Sequence, residues 1–92
     1  MNFPFNDHPN TVVLTCCHII DGSANIFYVS HDADDGMWQF LCGKSHSENE
    51  ARVVSLYEIY ALDPTIAQIA DLPYGYIAKR ESIESNWNVR KN

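Results

Sequence analysis

The segment Ser55-Leu-Tyr-Glu58 and the Asp63-Pro64 pair that follows it constrain the fold more than any other part of the chain. A serine with a glutamate three residues on satisfies two orphan backbone N–H groups reciprocally, so Ser55 is an N-cap and a helix is predicted from about Leu56. Val54 and Ile59 can close a hydrophobic staple across its first turn. Asp63 is a second N-cap, and Pro64 takes the first helical position, where its missing N–H costs nothing. Ile66, Ile69 and Ala70 share one face of this second short helix, and Pro73 with Gly75 ends it. Both helices need an apolar surface to cover.

That surface is predicted to be a sheet. "VVLTCCHII", residues 12–20, reads as a strand, and the turn signal "DGSAN" sends it into a hairpin whose returning partner is "IFYVSH". "DADDG" breaks the pattern before "MWQFLCG" resumes it as a third strand, and "YIAKR" reads as a last strand after the helices. The fold class expected is α+β: a small antiparallel sheet, made of the hairpin, the third strand and the C-terminal strand, with two short helices packed on one face. A chain of 92 residues supports a single domain, 1–92, in which 1–10 and the largely polar 82–92 are expected to be loosely packed ends.

Six Lys and Arg against 12 Asp and Glu give a net charge of −6, so a nucleic-acid or anionic-membrane surface, which needs clustered cations, is not expected. A basic partner suits such a chain. No apolar run approaches the roughly 18 residues that span a bilayer, and "MNFPFNDHPN" lacks the basic start and apolar stretch of a secretory signal, which points to the cytoplasm. Three cysteines, two of them adjacent, do not make a disulfide framework, and the thiols are expected to be reduced.

Four residues could hold a metal. In an extended strand Cys16 and His18 project from one face; Cys42 ends the third strand and His46 follows across the loop begun by Gly43. Two sulfurs and two imidazoles are a donor set suited to structural zinc. Neither half has the tight knuckle spacing of strong zinc signatures, so the preferred reading is no metal, with Cys16 and Cys42 as small buried hydrophobes; zinc is the alternative. A Cys-dependent hydrolase built on Cys42 and His46 is a second alternative, without an orienting third group. Ser30, His31 and Asp32 alternate faces of a strand and cannot meet as a triad. Asp32, Asp34 and Asp35 lack the downstream glutamate of a calcium loop and read as a turn.

"SLYEIYALDPTIAQIADLPYGYIAKR", together with Asp21-Gly22, Asp35-Gly36, Trp38, Phe40 and Gly43, resembles a bacterial domain-of-unknown-function family designated the immunity protein 33 domain. The resemblance runs from about Asp21 to Arg80. It implies a small non-enzymatic protein that neutralises a cognate toxin of a polymorphic toxin system by occluding it, with no catalytic residues. On that expectation Asp32, Asp34, Asp35, Glu48 and Glu50 would steer a basic toxin, and Tyr57 and Trp87 would hold it.

Overall fold

The computed structural model describes residues 3–43 and 48–92, the Glu48 side chain excepted. The fold is α+β, and the described residues form six strands in one mixed sheet. In chain order these are β1 (Val12–Cys16), β2 (Tyr28–His31), β3 (Trp38–Leu41), β4 (Ala51–Ser55), β5 (Tyr76–Lys79) and β6 (Asn88–Lys91), with helices α1 (Cys17–Ile20) and α2 (Leu56–Leu62). A 3-10 turn at Glu48–Glu50 precedes β4, and a 3-10 helix at Pro64–Ile69 follows α2.

The spatial order is β4-β1-β3-β2-β5-β6. The β2–β3 hairpin forms around the Asp-rich turn, with Val29 opposite Phe40 and His31 opposite Trp38. The expected hairpin between residues 12–20 and β2 does not form. β1 stops at Cys16 and the chain turns helical over Cys17–Ile20, a turn that Asp21-Gly22 ends: the Asp21 N–H donates to the Cys17 carbonyl and Gly22 takes φ of 82°. The chain then enters the sheet two places away, and β3 fills the gap parallel to β1. β1 is thus flanked by β3 and by β4, a strand absent from the sequence expectation, so the sheet is mixed rather than antiparallel. β6, in the polar tail, pairs antiparallel with β5 as the far edge.

Alternation places Val13, Val29, Trp38, Phe40 and Ala78 in the core, where they join Leu56, Ile59, Ile66 and Ile69 from the helical segments. Burying each of these larger side chains contributes about 1.5–3 kcal/mol. The N-terminal segment also enters this layer: Phe5 is buried and edge-on to Trp38, with ring centroids 5.2 Å apart. Both expected helix caps are present. Ser55 Oγ accepts from the Glu58 N–H and Glu58 Oε1 from the Ser55 N–H, while Asp63 Oδ1 accepts from the Thr65 N–H.

Candidate functional site

Two places bring chemistry together. At the first, the C-terminal ends of the parallel neighbours β1 and β3 place Cys16 and Cys42, both buried, near each other. Cys16 and His18 do not share a strand face as expected, because the strand has ended between them. The helical turn of α1 instead folds His18 back, so that one donor atom from each of Cys16, His18 and Cys42 lies within 4.8 Å of the others. His46 lies outside the described residues, and with it the expected Cys42–His46 pair. The Nε2 of His18 is 3.1 Å from Glu50 Oε2, and its Nδ1 is buried. A second, more exposed set of Cys17, His18 and Glu50 has donor atoms equally close together. Burial is the main influence that pushes the Cys16 thiol above its ordinary value, so a proton stays on that sulfur in the absence of a cation.

The second place is the surface around the β2–β3 turn. The imidazole of His31 is 7% exposed, stacks on Trp38 with centroids 3.9 Å apart, and has the ring of Tyr74 against it at 4.4 Å. Its Nδ1 lies 2.7 Å from the Leu72 carbonyl oxygen, an acceptor only, so Nδ1 carries a hydrogen and donates it there. That Nε2 is buried with no hydrogen-bond partner among the described residues. His31 lines two shallow clefts of about 200 and 220 Å³, one shared with Asp7, Asp71 and Tyr74 and the other with Asp34 and Asp35.

The acidic residues expected to steer a partner differ in their freedom. Asp34 and Asp35 are exposed, although Asp35 Oδ1 also accepts from the Met37 N–H. Asp32 is half-buried and accepts from Ser30 Oγ and Gln39 Nε2, a framework role within the sheet. Glu50 is engaged with His18, and the Glu48 side chain lies outside the described residues. Tyr57 is 43% exposed on the outer side of α2. Trp87 is partly buried against the core, and Arg80 lies over its ring at 4.2 Å.

Sequence reasoning did not single out Tyr74, Asp7 or Asp71 as neighbours of His31. The one available signal was that His31 alternates in phase with Val29 and so must face the core, where an imidazole needs partners. No family model, no curated protein and no solved structure matches the chain.

Proposed function

We propose that this chain is a non-enzymatic binding protein that neutralises a basic bacterial toxin by covering its working surface, as the family resemblance implies. The observation that carries the reading is that the two clefts meeting at His31 are each lined by aspartates. Asp7 and Asp71 line one cleft with His31 and Tyr74, and Asp34 and Asp35 line a second cleft with His31. Tyr74 is 66% exposed against the His31 ring, and an exposed aromatic anchor beside carboxylates favours a Lys- or Arg-rich partner. A partner that displaced Tyr74 would also supply His31 Nε2 with the hydrogen-bond partner it lacks.

The test is co-expression with the protein encoded beside its gene, scored by growth and by co-purification of a complex. Wild-type chain should protect and co-purify, and Tyr74→Ala with Asp34→Lys and Asp35→Lys should do neither while remaining folded. Failure of the wild-type chain to bind the neighbouring gene product would remove the reading.

A further inference from the structure

We propose that Cys16, His18 and Cys42 form a zinc site, held at the ends of two parallel strands, that is independent of the acidic recognition surface. The inference goes beyond the binding function proposed above and does not rest on it. Three stretches of chain converge there: the last residue of β1, the turn of α1, and the residue after β3. Their donor atoms lie within 4.8 Å of one another. In a tetrahedral centre with Zn–S of about 2.3 Å and Zn–N of about 2.0 Å, neighbouring donors sit about 3.4–3.8 Å apart, so closing on the ion needs adjustments on the order of 1 Å.

Simple core filling explains why the two thiols are buried. It does not explain why an imidazole nitrogen meets both of them. Nor does the sequence favour this meeting through local spacing, because Cys42 arrives from β3 only through its parallel pairing with β1. The surroundings of His18 match what a metal-bound histidine needs: a carboxylate, Glu50, lies 3.1 Å from Nε2, leaving the buried Nδ1 as the nitrogen that would coordinate. Two thiolates and one imidazole are soft donors that select zinc over magnesium or calcium. Binding removes one proton from each thiol to solvent, so the two negative sulfurs balance the charge of the dication. The fourth coordination position is filled by solvent or by a further ligand.

The test uses the full chain, reduced and stripped with a chelator, then titrated with cobalt(II) as a spectroscopic substitute for zinc. Expected are a near-ultraviolet thiolate-to-cobalt charge-transfer band and the strong visible absorption of four-coordinate cobalt, both abolished by one equivalent of zinc, with release of about two protons per zinc bound. Cys17→Ser should leave the spectrum intact, Cys42→Ser and His18→Ala should remove or strongly reduce the charge-transfer band, and Glu50→Gln should weaken zinc binding about tenfold. Only the weak spectrum of aqueous cobalt with wild-type chain would overturn the site, and that measurement holds even if a cysteine variant fails to fold. Loss of the band in Cys17→Ser, or its full retention in Cys42→Ser, would equally overturn it.

Discussion

The guanidinium of Arg80 lies 2.9 Å from Asp63 Oδ2, with the arginine side chain fully buried and the aspartate partly exposed. Its other two nitrogens are also engaged: Nε donates to the Ile26 carbonyl and Nη1 to Thr65 Oγ1, each at 2.9 Å. Asp63 is also the N-cap of the 3-10 helix, so one carboxylate ties the start of that helix to β5's exit and to the loop before β2. Removing one member leaves the other's charge buried and unpaired. Asp63→Ala is expected to cost about 3–5 kcal/mol, read as a lower urea midpoint. Thr65→Ala, which loses a neutral acceptor, should cost less.

The acidic turn behaves differently because its outermost carboxylates are solvated. Replacing Asp34 by lysine is expected to change stability by no more than about 0.5 kcal/mol, and replacing Asp35, which also loses the acceptor of the Met37 N–H, by about 1 kcal/mol. The same variant should slow association with a basic partner about tenfold or more at low ionic strength, with the difference shrinking as salt is added. Asp32→Lys should instead destabilise the fold, since it strips acceptors from Ser30 and Gln39. Stopped-flow association beside chemical denaturation separates the two outcomes.

Gly36 closes the same turn at φ of 73°, and a Cβ built there would stand 3.2 Å from Tyr74 Cε1. Gly36→Ala combines left-handed backbone strain of about 1–2 kcal/mol with pressure on the exposed tyrosine. A lower melting temperature and an altered near-ultraviolet circular dichroism signal are the expected readouts.

For the metal-free chain, the raised pKa of Cys16 sets a pH dependence with a definite sign. Burial raises the folded-state value above the ordinary 9.0, so the contribution is fully present below the unfolded thiol's pKa and is lost as pH rises through the folded one. The stability of the stripped protein should therefore fall on the alkaline side of about pH 9, the ordinary thiol value. Cys16→Ala, though destabilised at every pH, should show a flatter alkaline limb in urea melts. An unchanged slope in that variant would show that Cys16 is not the group responsible.

The sequence by itself determined what a few neighbouring residues can settle among themselves. The capping box at Ser55 and Glu58, the Asp63-Pro64 start, and the β2–β3 hairpin around the Asp-Gly turn each satisfy their backbone groups within one turn of chain, and the structure has all three. Tertiary structure decided which strands lie side by side. Val12 to Ile20 is apolar enough to read as one long strand, yet from Cys17 onward the chain satisfies its carbonyls by turning helical and stopping at Asp21-Gly22. Nothing within those nine residues distinguishes the two outcomes. The choice is made by β3 and β4, which occupy both edges of β1 from far along the chain. The same holds for the chemistry. The donor types at Cys16, His18 and Cys42 were legible, but their convergence depends on a parallel pairing of strands distant in sequence. Burial of Arg80 likewise depends on Asp63 and Ile26, which reach it only once the sheet has closed, and a long-range pairing of that kind leaves no mark in local spacing.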